Sequence, residues 1–230
     1  TMRSRPPGTS PPLNDEVRVL VIADPAPEAE LKLHYARREG RRVAEALRQM
    51  SGPGCRITVE SRIGASECSL VEILKLILTG DFDVLHYAGH GEYDPANPIA
   101  AGWILGRDQV LTARDIFRAR RVPRLVFANA CFSGVIHDGA AFESAELTRG
   151  TATVAQAFFE RGVPNYVGSG WPVDDEQAGT FAASFYERLF AGEPMREALQ
   201  AARQKIFDET LGSTWGAYQH YGDPEDVLVR

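Results

Sequence analysis

Two short segments of this 230-residue chain end in residues that can do chemistry. "DVLHYAGHG" sets His90 between Gly89 and Gly91, and "LVFANACFSG" sets Cys131 ahead of Ser133 and Gly134. A thiolate that attacks a carbonyl and an imidazole that moves protons are the two parts of covalent catalysis by cysteine. A lone cysteine has a plainer use, because free Cys is among the most buried side chains. What lifts the pair above that use is position, since each residue closes an apolar run that reads as a strand. If those strands are parallel neighbours, about 4.8 Å apart, His90 and Cys131 stand side by side at one rim of a sheet. That rim, beyond the carboxyl ends of the strands, is where ligands gather in open parallel sheets. The glycine that follows each residue lets a substrate backbone come close.

The elements that must position the pair are legible in the periodicity. "VRVLVIA" (17–23) is a continuous apolar run rich in β-branched residues, as suits a strand buried on both faces. Helix formers fill 27–50 and stop at "SGPG"; "CRITVES" (55–61) reads as a second strand and "SLVEILKLILTG" as a buried helix. "DFDVLHYAG" (81–89) and "PRLVFANA" (123–130) are the third and fourth strands of the series. Between them, "GWILGRDQVL" has the pattern of a small hairpin or an extended excursion and "TARDIFRAR" that of the crossover helix. A helix over 151–162, a strand over 163–170, helices near 175–191 and 194–209 and a last strand and turn over 214–224 complete the chain. Alternating strands and helices predict an α/β domain with a mainly parallel sheet over 16–230. The Pro- and Ser-rich start, residues 1–15, reads as a linker or disordered segment and suggests one domain of a longer protein.

Composition narrows the classes of function. A net charge of −6 lacks the basic footprint of a nucleic-acid binder, so direct contact with nucleic acid is not expected. The longest apolar runs fall far short of a membrane span, and residues 1–16 lack the apolar centre of a signal peptide. The three cysteines, Cys55, Cys68 and Cys131, show no paired spacing and no Cys/His cluster. That usage points to a reducing, cytoplasmic compartment and to no metal or other cofactor. His86 and His90 cannot share a metal ion on a strand, where four residues span about 13 Å; His86 reads as a hydrogen-bonded core histidine. His137 reads as a solvated loop residue, and His220 carries no signal. No phosphate-binding loop is present, and "IADPAPEAEL" after the first strand has no glycine, which disfavours a flavodoxin-like module.

"HYAGHGEYD", "NACFSG" and the segment from "GVPNYVGSGWP" to "REALQAAR" together resemble the caspase-like cysteine peptidases, most closely the bacterial CHAT family. The order of these motifs and the likeness from the first strand to "YGDP" carry the resemblance. It implies a caspase-like three-layer sandwich, a mainly parallel sheet with helices on both faces. It implies an endopeptidase in which Cys131 is the nucleophile and His90 the acid/base group, flanking the scissile bond. The oxyanion would then sit on the backbone N–H groups of Gly91 and Cys131, with no third acidic residue required.

The resemblance also proposes a substrate path. Asn129, two residues before the cysteine, falls where metacaspases that cut after Arg or Lys carry an acid at the floor of the primary pocket. A neutral Asn removes that direct reason for basic specificity. Ser169, Gly170 and Trp171 fall on the strand along which substrate lies, although Trp171 serves a core or rim equally well. Asp174 and Asp175 either place charge near the pocket or cap the following helix, and capping is the simpler use. The expected partners are a protein substrate and a regulatory domain or subunit, a TPR or other sensor module, in bacterial signalling or defence. The alternative is a catalytically silent scaffold of the same fold. The polar stretch 135–150 reads either as a mobile control loop, cleavage near Arg149 being open but not required, or as a solvated surface excursion.

Overall fold

The computed structural model describes residue 13 and residues 16–52, 54–93, 97, 100–112, 115, 122–131, 154–209 and 212–229. For Ala29, Cys131 and Asp175 it describes the backbone. The expected crossover helix of "TARDIFRAR", His137 and the 135–150 loop lie outside the described residues, apart from Thr112 and Asp115.

Strands β1 (Glu16–Ala23), β2 (Arg56–Ile63), β3 (Val84–Glu92), β6 (Leu125–Cys131), β7 (Asn165–Ser169) and β8 (Tyr218–Gly222) lie in the order β2-β1-β3-β6-β7-β8. All neighbouring pairs are parallel except β7 with β8. A hairpin of β4 (Gly102–Gly106) and β5 (Gln109–Thr112) attaches antiparallel to the end of β3. The order runs one way from β1 to β2 and the other way from β3 to β7. The crevice at the carboxyl ends of β1 and β3 is therefore the topological switch point, the place where such sheets bind ligands.

Alternating side chains bury both faces of the sheet. Val17, Val19 and Val21 of β1 face one core with Phe127, Val167, Phe181, Phe185 and Tyr186, and Leu20 and Ile22 face another with Tyr87, Trp103, Val126 and Tyr166. Helices α1 (His34–Met50), α4 (Asp175–Phe190) and α5 (Met195–Glu209) cover the first face. Helix α2 (Leu70–Thr79), a helix α3 over residues 154–161 and the hairpin cover the second. The result is the three-layer sandwich with a mainly parallel sheet that the sequence implied.

Helix α1 buries Ala36, Glu39, Gly40, Val43, Ala44 and Leu47, a single stripe at helical spacing. Gly40 lets the helix close on β1, since a Cβ there would lie 2.4 Å from the Cβ of Ala23. Helix α2 starts at a serine N-cap: the Ser69 hydroxyl accepts from Glu72 N–H and donates to the Glu72 carboxylate at 2.9 Å.

Some boundaries differ from the periodicity. Residues 29–31 form a separate 3-10 turn before α1 rather than its first turn. Strand β3 runs past Gly89 to Glu92 because β4 pairs with Gly91 and Glu92. The C-terminal segment opens with one helical turn, α6 (Thr214–Ala217), before β8. Leu13, inside the segment read as linker, donates its N–H to Leu228 O at 2.8 Å and pairs with Val229.

Candidate active site

Successive register pairs bring the two motif strands together: His86 with Phe127, Ala88 with Asn129 and His90 with Cys131. His90 is thus the last parallel-paired residue of β3, and Cys131 the last residue of β6. The next β3 residue, Gly91, is the register partner of Trp103 in the hairpin.

The His90 backbone is fixed from below. The Tyr87 hydroxyl lies 2.8 Å from His90 O and 3.0 Å from Ile104 O, and its one proton serves both carbonyls. Its ring stacks on Trp103 with centroids 4.4 Å apart. Gly89 leaves the room for this arrangement, because a Cβ there would lie 2.5 Å from the Tyr87 hydroxyl oxygen.

The His90 imidazole is fixed from the side. Its Nε2 lies 3.1 Å from the carbonyl oxygen of Leu31, to which it donates as an N–H. Leu31 belongs to the 3-10 turn that follows β1, and the hairpin holds that turn in place. Arg107 donates its backbone N–H to Glu28 Oε1 at 2.9 Å, and its guanidinium pairs with Glu30.

Asp24, at the end of β1, anchors the same segment. It takes a left-handed conformation (φ 48°), and its N–H donates to Ala88 O at 2.9 Å. Its buried carboxylate accepts from Leu33 N–H at 2.8 Å and pairs with Arg37 at 2.7 Å. Burial lowers the His90 imidazole from its ordinary value, while the Leu31 carbonyl and the Asp24 charge oppose the shift. The histidine is thereby favoured as the neutral Nε2–H tautomer, with the lone pair on Nδ1.

A second polar layer lies deeper on the same face. Asn129 Nδ2 donates to Glu39 Oε2 at 2.7 Å, and Glu39 Oε1 lies 3.3 Å from His86 Nε2. His86 Nδ1 is 3.1 Å from the Tyr186 hydroxyl, and the His86 ring stacks on Phe127 at 5.1 Å. His86 is fully buried, as expected of a core histidine.

Ser169 closes β7 opposite Tyr218, and Gly170 N–H donates to Ala217 O at 2.8 Å. Trp171 is half-buried, packed on the core of that face and 3.5 Å from where a Cβ of Gly216 would stand. Asp174 is the N-cap of α4: its Oδ1 accepts from the N–H groups of Glu176 and Gln177, both at 3.1 Å. That geometry takes the capping use; Asp175 is the first helical residue. His220, silent in sequence, accompanies a buried network in which Asn165 accepts from His220 at 2.9 Å and donates to Asp226 at 2.6 Å.

Among the described residues, no group of three His, Cys, Asp or Glu side chains is placed to hold a metal ion. No described helix is long and apolar enough to cross a membrane. Asp24, the Leu31 carbonyl and Glu39 are the parts of the site that sequence reasoning missed. Only Glu39 left a signal, an acid on the buried stripe of α1.

Residues 1–223 match the family model of the CHAT domain. The fold is similar to that of the Arg-specific cysteine proteinase gingipain R, with a TM-score of 0.53, 14% identity and 94% of this chain covered. It is also similar to that of the Saccharomyces cerevisiae separase–securin complex, with a TM-score of 0.54, 14% identity and 90% covered. The chain spans 47% of the gingipain chain and 12% of the separase-complex chain, so it corresponds to a part of each. No curated protein matches the sequence.

Proposed function

Since the chain belongs to the CHAT domain family and has a caspase-like fold, we propose that it is a cysteine endopeptidase with Cys131 as nucleophile and His90 as acid/base group. The observation that carries the reading is the β3–β6 register, which makes the two residues strand-end partners beside the switch point. In the reaction, the Cys131 sulfur forms a bond to the scissile carbonyl carbon, and its proton passes to His90. Negative charge develops on the carbonyl oxygen, for which the N–H groups of Gly91 and Cys131 are the proposed donors. His90 gives its proton to the amine as the C–N bond breaks. Water then attacks the thioester, losing a proton to His90, and the thiolate leaves.

Asn129 is the proposed floor of the primary pocket, and Ser169, Gly170 and Trp171 the strand that substrate lies along. Asp175 remains a proposed neighbour of that path. The protein substrate and a regulatory sensor module are the proposed partners, in a cytoplasmic signalling or defence setting.

The test is a set of peptidyl acyloxymethyl ketones followed by mass mapping. The expected adduct is on Cys131 and is lost in His90→Ala. Cys68 should stay unlabelled, because burial, reinforced by Glu67 and Asp24, pushes its thiol up to about 12. Labelling confined to Cys55 or Cys68 would overturn the reading. No labelling at all would leave the scaffold alternative.

A further inference from the structure

We infer that the outer face of α1 is a docking surface for an acidic segment of a partner protein, held by Arg38, Arg41 and Arg42. The inference goes beyond the dyad and does not depend on turnover at Cys131. Its basis is a local reversal of charge. The chain carries 31 Asp and Glu against 25 Lys and Arg, yet α1 holds five arginines and two glutamates. Of those glutamates, Glu39 is buried, and Glu45 accepts from the Gln49 amide at 2.9 Å. Arg37 turns inward to Asp24 at 2.7 Å.

Arg38, Arg41 and Arg42 are exposed, and none of them pairs with a carboxylate among the described residues. Arg38 lies over the Tyr35 ring, 4.7 Å from its centroid, and Arg42 donates to the Thr180 hydroxyl at 2.8 Å. Exposed arginines elsewhere behave differently: Arg56, Arg188 and Arg196 each meet a glutamate. The arrangement works against the helix that carries it. Arg41 and Arg42 stand three and four residues after Arg38, so like charges crowd one face, which is destabilising. The first turn of α1 holds no acid and its N-cap, Leu33, makes no side-chain cap, so cations stand near the positive end of the helix dipole. Asp24 answers only Leu33 and Arg37. Carboxylates presented from outside relieve both costs.

Shape selects the occupant. Arg38 and Arg42 overhang a cleft of about 260 Å³ between α1 and α4, which gives a carboxylate room to reach both guanidiniums. Glu176 on the far wall of that cleft and Glu45 farther along α1 bound the basic face. With a net charge of −6 on the whole chain, a long polyanion is repelled beyond this island, and a short acidic segment fits within it. Helix α1 begins three residues after Leu31, whose carbonyl holds His90, so the docked segment lies next to the turn that sets the histidine.

The test uses the whole chain and a fluorescent peptide of Glu and Ala, about 15 residues long to match the helix, with anisotropy as readout. Binding should weaken at least about tenfold between about 50 mM and about 300 mM salt, and a peptide with Gln in place of Glu should not bind. Arg38→Glu/Arg42→Glu should weaken binding at least about tenfold, and Lys205→Glu, a reversal on α5, less than about twofold. If loss of the Thr180 contact unfolds the double variant, Arg38→Gln/Arg41→Gln serves instead. Its binding should fall at least about threefold while its thermal midpoint holds or rises, because a repulsive pair is gone. No binding of the Glu peptide at low salt, equal binding of the Gln peptide, or full binding in a folded arginine variant overturns the inference. So does an oligonucleotide of equal charge that binds more tightly through the same arginines. Labelling of Cys131 by short peptidyl ketones should be unchanged in the arginine variants. Absence of that labelling in the parent chain overturns the peptidase reading and leaves this inference standing.

Discussion

His90 Nε2 and the carbonyl oxygen of Leu31 lie 3.1 Å apart, a contact made across 59 positions of the chain. It occupies Nε2 with a group that cannot titrate and so favours the Nε2–H tautomer of the neutral ring. A side-chain acid in that place would raise the imidazole more strongly. A carbonyl only partly offsets the burial that lowers it.

The first prediction concerns the pair itself. Cys131→Ala and His90→Ala should each lower peptide cleavage by at least about a thousandfold, and the double variant should lose no more than the singles. Additive losses would mean that the two residues act separately. Circular dichroism of each variant checks that the fold survives.

pH dependence follows from two histidines. Burial lowers both His90 and His220 in the folded chain. The unfolded state then binds more protons than the folded state below the ordinary histidine value of about 6.5, so stability rises with pH through that window. Urea midpoints should fall as pH drops below about 6.5 and level off once both folded imidazoles are protonated. His220→Gln should flatten part of the slope. A slope of opposite sign would contradict the neutral buried forms.

Asp24→Asn keeps a residue tolerant of the left-handed backbone at φ 48° but removes the charge opposite Arg37. Breaking a buried ion pair from one side costs about 3–5 kcal/mol, and the partial exposure of Arg37 brings the expected loss to about 2–3 kcal/mol. Chemical denaturation measures it. The segment that carries Leu31 loses an anchor in the same variant, so cleavage should fall more steeply than the folded fraction does.

Gly89→Ala tests the support beneath the histidine. The added methyl meets the fully buried Tyr87 hydroxyl and ring, so either the ring leaves Trp103 or β3 shifts. The expected cost is about 1–3 kcal/mol, the range for overpacking, with cleavage reduced in the remaining folded protein. Unchanged unfolding midpoints would show that the Tyr87 contact is dispensable.

Strands β1, β3, β6 and β7 were legible because each is a short β-branched or aromatic run covered on both faces, bounded by turn residues. His90 and Cys131 were legible for a related reason, as reactive residues closing such runs. Asp24 was not, since its role depends on Arg37 and Leu33 meeting it after the chain has turned from β1 into α1. The Leu31 carbonyl has no side-chain signature at all. Glu39 sat on a readable stripe, yet its partners Asn129 and His86 come from two other strands, joined only by the sheet order. The one-turn helix before β8 escaped because "TWGA" has too few residues to show a period.

The pairing of Leu13 with Val229 brings both extremities of the described fold to one corner, at the amino end of β1. His90 lies at the opposite end of the strands. A fold of this kind behaves as a cassette: it can be spliced into a loop of a host protein, or given new ends by joining the old ones, with little distortion of its body. Whatever is grafted at that corner stands at the other end of the strands from His90 and its register partner on β6.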